Sequence, residues 1–274
     1  MAATRSESNV FVLGGLVSGK CEWCSGMCEI GPGPSSMSSW ERTRCLTCGA
    51  FGYTRLPGED ELNVVYASAW DDEGELGELA TGSTSEAMSR SLFKAVGWTP
   101  EKRQKCLDYG GGHGALANML VTSGCDDVWA YEPYSQGPAP EKVRWVTSLE
   151  RLPDSHFDWV FMIEVIEHLR HPVESLKGIR RIMSPGGKLV ITTPNAKGLR
   201  ARLDGYRWRE AQNPTHLNLF TARALRNCLQ DAGFLNAAHL YRPVRYNATG
   251  ISAVALSITQ RLGLDGGLRY VVQI

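Results

Sequence analysis

Three side chains near the middle of the chain have types and spacing that suit proton transfer. Glu164, Glu167 and His168 follow an apolar run that is typical of a buried strand. If a helix has begun by Glu164, positions i, i+3 and i+4 put all three on one helix face. Because a histidine has an unperturbed pKa near neutrality, we expect His168 to act as a general base, with Glu164 in the same catalytic site. The plain alternative is that carboxylates here only favour the positive end of a helix.

His216 is the second candidate base. It lies in the polar stretch Asn213-Pro-Thr-His216, shortly before a predicted helix for which Thr221 is a suitable N-cap. Loops of this kind often carry functional residues. We therefore expect His168 and His216 to assist deprotonation together, while a core or capping role for His216 stays open.

A glycine-rich turn, Asp108-Tyr-Gly-Gly-Gly-His-Gly114, lies between a predicted strand and a predicted helix. Glycines allow positive φ angles and a close approach of ligand to backbone, and the helix N-terminus adds unpaired N–H groups. Glu132 ends the next predicted strand, where an acidic residue can bind ribose hydroxyls. The turn therefore predicts a nucleotide-type cofactor site.

Two cofactors are compatible with this turn. The dinucleotide fingerprint is satisfied by Gly110, Gly112 and Ala115, so a nicotinamide dinucleotide is one possible cofactor. The carboxylate of Asp108 is poorly placed beside a pyrophosphate but suits the cationic sulfonium and amino groups of S-adenosylmethionine (SAM). The residues favour SAM.

Four cysteines have the spacing of a structural zinc site: Cys21, Cys24, Cys45 and Cys48. Two C-x-x-C turns about 20 residues apart match a tetrahedral zinc ribbon, and four thiolates leave no open coordination position for a substrate. Cys28 is either an alternate ligand or a spare thiol. Because the remaining cysteines are scattered, we expect reduced thiols and a cytoplasmic protein.

Short apolar runs alternate with helical stretches over the rest of the chain. The predicted strands are 105–108, 127–132, 143–147, 157–162 and 188–193, and the predicted helices are 115–123, 172–183 and 221–233. This alternation predicts an α/β fold with a doubly wound, mostly parallel sheet. We divide the chain into a lead-in with zinc ribbon (1–55), a connecting helical segment (56–98) and a catalytic domain (99–274).

Charge and hydropathy limit the partners. The 29 basic and 29 acidic residues cancel, which argues against a nucleic-acid partner. Only Arg42, Arg44 and Arg55 cluster near the ribbon. No apolar run is long enough to cross a bilayer. A small-molecule substrate is therefore expected, and the oligomeric state is not defined by the sequence.

The stretch from Cys106 to Phe234 resembles the class I SAM-dependent methyltransferases. The glycine turn matches their D-x-G-x-G-x-G, and Phe157–His168 and Ser184–Asn195 resemble their fourth and fifth strand motifs. The resemblance implies a seven-stranded Rossmann-like sheet. It also implies cofactor contacts, which are Asp108, Gly110, Gly112 and Glu132, with Ser148 or Leu149 beside the adenine and Ile163 lining the pocket.

The resemblance also suggests a site for a divalent metal ion. Glu-x-x-Glu-His with a later His is similar to the metal-binding set of the small-RNA 3′-terminal 2′-O-methyltransferases, and ubiquinone-pathway O-methyltransferases share its first part. This implies an ion at Glu164, Glu167, His168 and His216 that would lower the pKa of an attacked hydroxyl. The metal-free base is preferred at this stage.

Three functions follow. The first is methylation of a sugar, polyol or phenolic intermediate, because chains with a fused ribbon resemble bacterial natural-product and sugar methyltransferases. Oxygen is favoured over carbon, since Asn213-Pro-Thr-His216 lacks the Tyr-Asp-Glu-His run of the sugar C-methyltransferases. The second is an RNA methyltransferase that docks through its ribbon, and the third is a non-catalytic interaction protein with a vestigial fold.

Overall fold

The computed structural model describes residues 12–13, 16–17, 19–37, 39–71, 83–134, 141–240, 258–259 and 261–274. Its strands near the N-terminus are β1 (Val12–Leu13), β2 (Leu16–Val17), β3 (Gly19–Lys20), β4 (Met27–Pro32), β5 (Glu41–Cys45) and β6 (Phe51–Tyr53). Strands β3 to β6 form an antiparallel sheet in sequence order. Its turns carry the two C-x-x-C pairs, so the small N-terminal ribbon predicted from the cysteines is confirmed.

The main sheet has seven strands within the described residues. They are β7 (Lys105–Tyr109), β8 (Asp127–Tyr131), β9 (Val143–Val146), β10 (Phe157–Ile163), β11 (Met183–Pro194), β12 (Asn236–His239) and β13 (Gly267–Gln273). Their order is β12-β13-β11-β10-β7-β8-β9. Only β13 runs against its neighbours, because it pairs antiparallel with both β11 and β12. The mostly parallel, Rossmann-like sheet is therefore confirmed.

Seven α-helices lie within the described residues. They are α1 (Glu59–Asp71), α2 (Ser83–Val96), α3 (Ala115–Thr122), α4 (Pro172–Ile182), α5 (Leu199–Asp204), α6 (Arg209–Gln212) and α7 (Ala222–Asp231). Two apolar clusters fill the space between sheet and helices, one on each face. The central strands β7, β10 and β11 are buried on both faces, which explains why they read as continuous apolar runs.

Thr221 caps the last long helix as predicted. Its backbone is extended, and its Oγ1 accepts a hydrogen bond of 3.3 Å from the Ala224 N–H. An N-cap of this type satisfies one of the donors that a helix start leaves unpaired. Among the described residues, no helix has both the length and the apolarity needed to cross a bilayer.

One local prediction is wrong. The chain does not enter an α-helix at Glu164: strand β10 ends at Ile163, and Glu164 has a φ of 54° in the left-handed region. Residues Ile166–His168 then form a single 3₁₀ turn. Glu164, Glu167 and His168 therefore do not share a helix face, because the strand ends in a tight turn before α4 begins.

Candidate active site

The glycine turn after β7 adopts a conformation that its sequence requires. Gly110, Gly112 and Gly114 have φ angles of 81°, 52° and 78°, which residues with a Cβ rarely adopt. The N–H groups of Gly110 and Gly111 both donate to the Tyr131 carbonyl, at 2.8 and 3.0 Å. The turn is thus anchored to the end of β8 and leads directly into α3.

The glycines differ in what surrounds them. A Cβ at Gly110 would lie 2.5 Å from a methyl carbon of Val165, so this glycine is required for packing. A Cβ at Gly112 would meet nothing within 4 Å. The turn therefore packs on the 164–168 segment on one side and presents bare backbone to open space on the other.

Two carboxylates flank the turn. Asp108 is 4% exposed and accepts a hydrogen bond of 3.1 Å from the Ala117 N–H. Desolvation, with a smaller contribution from the charge of Glu132, raises the pKa of Asp108 to about 7. Glu132 is buried after β8 and accepts from the N–H groups of Gly112 (3.1 Å) and Tyr134 (3.0 Å).

This charge pattern discriminates between the two cofactors. An ionised Asp108 beside the turn repels a pyrophosphate, whereas it attracts a sulfonium and an ammonium group. Glu132 suits the ribose of either cofactor. A carboxylate can also accept hydrogen bonds from ribose hydroxyls. The residues present therefore fit SAM. A dinucleotide fits less well, because its pyrophosphate would lie beside the carboxylate of Asp108.

The other expected cofactor contacts lie at the same edge of the sheet. Ser148 and Leu149 follow β9, where Leu149 is half-buried in a short 3₁₀ turn and the Ser148 hydroxyl donates to the carboxylate of Glu150. Ile163 is the half-buried last residue of β10. Their contacts with adenine and with the pocket stay predictions.

Glu167, His168 and His216 come together although 47 residues separate the first two from the third. Their ligand atoms all lie within 4.8 Å of one another, and the two imidazole rings meet edge to face with centroids 4.7 Å apart. In each ring, Nδ1 faces a carbonyl oxygen: Thr215 at 3.1 Å for His168 and Glu210 at 3.2 Å for His216. A carbonyl only accepts, so Nδ1 carries the proton and Nε2 is the basic nitrogen.

Glu167 is the most deeply buried acid of the cluster. It is 1% exposed, and its Oε2 accepts a hydrogen bond of 2.9 Å from the Thr193 hydroxyl. Its Oε1 is buried with no hydrogen-bond partner. Desolvation and the nearby charge of Glu164 raise the pKa of Glu167 well above its ordinary value. A buried carboxylate oxygen without a partner indicates a missing cation or donor.

The histidines are electrically neutral near neutral pH. Desolvation lowers the pKa of His168 to about 4, and desolvation together with His168 and Arg42 lowers the pKa of His216 well below its ordinary value. Glu164 has an exposed side chain, yet desolvation and the charge of Glu210 raise its pKa.

The four ribbon cysteines also converge. Their sulfur atoms lie within 4.8 Å of one another, with Cys21 Sγ 3.6 Å from Cys48 Sγ and Cys24 Sγ 3.4 Å from Cys45 Sγ. Tetrahedral zinc with Zn–S bonds of about 2.3 Å separates its sulfurs by roughly 3.8 Å. The cluster therefore can hold zinc, and no solvent-facing coordination position is left over.

The predicted basic cluster near the ribbon does not form a surface patch. Arg42 is completely buried, Arg44 lies over the Phe51 ring at 5.1 Å, and Arg55 pairs with Glu61 at 2.7 Å. The charge of Arg42 is therefore buried, and that of Arg55 is paired. Sequence reasoning also missed Thr193, the partner of Glu167, although the Thr-Thr-Pro-Asn motif at the end of β11 was a visible signal.

Comparison with known proteins identifies the family. A family model described as a methyltransferase domain matches residues 82–239, more than half of the chain. The protein therefore belongs to this methyltransferase family, and its class I SAM-dependent fold agrees with the resemblance found in the sequence.

Two curated relatives illustrate its range. The tRNA U34 carboxymethyltransferase of Idiomarina loihiensis is 28% identical over 165 residues, which is 54% of this chain and 49% of that protein. The ubiquinone biosynthesis O-methyltransferase of Roseobacter denitrificans is 32% identical over 107 residues, 35% of this chain and 43% of that protein. The chain thus spans about half the length of these relatives.

Solved structures agree on the fold. The 1,6-didemethyltoxoflavin-N1-methyltransferase of Burkholderia thailandensis is 16% identical with a TM-score of 0.51, covering 85% of this chain and 95% of that chain. A SAM-dependent methyltransferase of Archaeoglobus fulgidus is 18% identical with a TM-score of 0.50, covering 73% and 98%. At these identities the similarity concerns the fold alone.

Proposed function

We propose that the protein transfers a methyl group from SAM to a hydroxyl oxygen of a small molecule, such as a sugar, a polyol or a phenol. The observation that carries this proposal is the cluster of Glu167, His168 and His216. The segment that carries Glu167 and His168 packs against the glycine turn, where Val165 lies beside Gly110. A base or ion at the cluster would therefore adjoin the donor site.

The chain has separate tasks for donor and acceptor. SAM supplies an electrophilic methyl group, so the protein has to bind it, align the acceptor in line and remove the acceptor proton. Asp108 and Glu132 would compensate the positive charge and hold the ribose, and the bare backbone of Gly112 would approach the methionine part. Glu164, which directly follows β10, would be a further proton acceptor.

A divalent ion fits the cluster better than a metal-free base. A histidine whose pKa lies near 4 is too weak a base to remove a hydroxyl proton efficiently at neutral pH. Neutral imidazoles whose Nδ1–H groups donate to carbonyls are, however, oriented as metal ligands are. Glu167, His168 and His216 would hold an ion such as Mn²⁺, with Glu164 nearby, and the ion would lower the pKa of the acceptor hydroxyl.

The proposal is tested by mass spectrometry on a panel of diols, phenols and nucleotide sugars incubated with SAM. We expect one acceptor class to gain one methyl group, and the gain to stop when EDTA removes a weakly held ion while the ribbon zinc stays bound. Glu167→Gln and His216→Gln should each reduce turnover at least about a hundredfold. The exposed His171→Gln is the matched control and should keep wild-type turnover.

Activity that survives EDTA and both substitutions would refute the role of the cluster. Activity that survives EDTA but is lost in the substituted proteins would support the metal-free mechanism. In that mechanism His168 and His216 accept the proton themselves. Complete absence of SAM binding would favour a non-catalytic interaction protein.

An RNA acceptor is the second candidate, and the similarity to tRNA U34 carboxymethyltransferases favours it. The zero net charge and the burial of Arg42 oppose it. If the protein binds RNA, it should be retained on a tRNA column and eluted over a narrow range of rising salt concentration, because phosphate contacts are salt-dependent. Salt-independent flow-through of the zinc-loaded protein would exclude this candidate.

We keep three finer assignments as proposals. The chain divides into a ribbon segment (1–55), a connecting helical segment (56–98) and a methyltransferase domain (99–274). The eight cysteines are unpaired, which supports a reducing compartment and hence the cytoplasm. Zinc in the ribbon is structural in this proposal.

A further inference from the structure

Arg42 links the zinc ribbon to the candidate active site. It lies on β5, three residues before the cysteine ligand Cys45, and its side chain is 0% exposed. Its guanidinium donates three hydrogen bonds to carbonyl oxygens: Nε to Ala211 (3.0 Å), Nη1 to His216 (2.6 Å) and Nη2 to Asn213 (2.8 Å). One ribbon side chain thus fixes three points of a segment about 170 residues away.

Neighbouring ribbon residues fasten the same segment. The Arg42 guanidinium lies 4.0 Å from the centre of the Tyr53 ring, and the Tyr53 hydroxyl donates to the Pro214 carbonyl at 3.2 Å. Phe51 and Leu219 exchange two backbone hydrogen bonds of 3.0 Å. Residues 211–219 are therefore bound along their length by strands β5 and β6.

The fastened segment supplies hydrogen-bond contacts to both imidazoles. It contains His216, whose Nε2 lies 3.2 Å from the Asn213 side-chain amide. It also contains the Thr215 carbonyl that accepts from His168. His216 Nδ1 lies 3.2 Å from the Glu210 carbonyl oxygen and 3.5 Å from Glu210 Oε2. Contacts from residues 210–216 therefore help to orient both imidazoles.

We infer that Arg42 is a positioning residue through which the zinc-held strand β5 sets the orientation of His168 and His216. Burying a guanidinium is costly unless its donors are satisfied, and here three carbonyls satisfy it. A lysine cannot reproduce the result, because its single ammonium group does not reach three divergent acceptors. The catalytic meaning of this link rests on the proposed function, whereas the geometric link does not.

The test compares Arg42→Lys and Arg42→Met with Arg44→Met. Arg44 lies on the same strand, and none of the described hydrogen bonds joins it to residues 211–219. Two readouts are used on the full chain with zinc and SAM bound: the ¹³Cε1 signals of the histidine rings at one pH, and amide hydrogen exchange of residues 209–220. Neither readout requires a known acceptor.

We expect both Arg42 variants to move the His168 and His216 signals. Exchange of residues 209–220 should rise at least about tenfold, the factor expected for losing one hydrogen bond to a charged group. Exchange in β7 and β10 should stay unchanged, and Arg44→Met should match the wild type. If Arg42→Met loses zinc or fails to fold, Arg42→Lys decides.

Wild-type signals and exchange in Arg42→Lys would overturn the inference, since three separate bonds would then be unnecessary. A second arm removes zinc from the wild-type protein by chelation. The same loosening of residues 209–220 is expected there, and unchanged exchange would overturn the link to zinc. If the signals move but turnover does not, the positioning role stands and the role of His216 in the proposed function fails.

Discussion

The burial of Asp108 makes SAM affinity depend on pH. Desolvation holds the pKa of this carboxyl at about 7 in the cofactor-free protein, compared with about 4 for an exposed aspartate. The sulfonium and ammonium groups of SAM interact favourably with the ionised carboxylate. SAM therefore binds mainly to the fraction of the protein in which Asp108 is ionised. For a group with this pKa, that fraction falls from about one half at pH 7 to about 3% near pH 5.5.

The expected dissociation constant for SAM therefore rises about 15-fold between pH 7 and about pH 5.5. Isothermal titration calorimetry measures it directly, with Asp108→Asn as the comparison. The asparagine keeps an oxygen that can accept from the Ala117 N–H but has no charge to lose. Its affinity should be weaker and nearly independent of pH over this range.

The same shift has a consequence for stability. Because the folded-state pKa is raised, the favourable contribution of protonated Asp108 is present below about pH 4 and is lost as the pH rises through about 7. Cofactor-free wild type should therefore lose up to about 4 kcal/mol relative to Asp108→Asn over that window. Equal pH slopes for the two proteins, in affinity or in urea denaturation, would refute the reasoning.

Four further predictions concern single substitutions. Gly110→Ala should abolish SAM binding, because the new Cβ would lie 2.5 Å from a Val165 methyl carbon and the φ of this residue is 81°. Gly178 lies in a helix with open space around it, so Gly178→Ala should raise the free energy of unfolding by about 0.5–1 kcal/mol. Cys48→Ser should lose the bound zinc and expose the ribbon to protease, as zinc analysis and limited proteolysis would show, and retained zinc would contradict a four-cysteine site. Thr221→Ala should cost about 1 kcal/mol in urea denaturation through loss of an N-cap, and no loss would contradict the capping bond.

The parts of the site that follow from the sequence are those set by local spacing. The cysteine turns and the glycine turn place their residues within a few positions of one another, so the geometry is encoded nearby. The central strands were equally predictable, since burial on both faces leaves continuous apolar runs.

Other features depend on distant parts of the chain. The turn at Glu164 arises where a strand stops before a helix starts, and residue spacing alone cannot distinguish that from a helix already begun. The burial of Arg42 depends on carbonyls about 170 residues away, so the sequence presented it as a surface charge. Strand β13 escaped prediction because the apolar pattern weakens after Arg242. Residues 241–257 lie outside the described residues.

The proposed function depends above all on SAM binding at the turn from Asp108 to Gly114. A crystal structure of the protein soaked with S-adenosylhomocysteine would locate the cofactor. We predict the ribose hydroxyls within hydrogen-bond distance of Glu132, the methionine part over Gly112, and the sulfur on the side of the cleft that carries His168. A nicotinamide dinucleotide bound at the turn in a competition soak, or side chains filling the space before Gly112, would contradict the account.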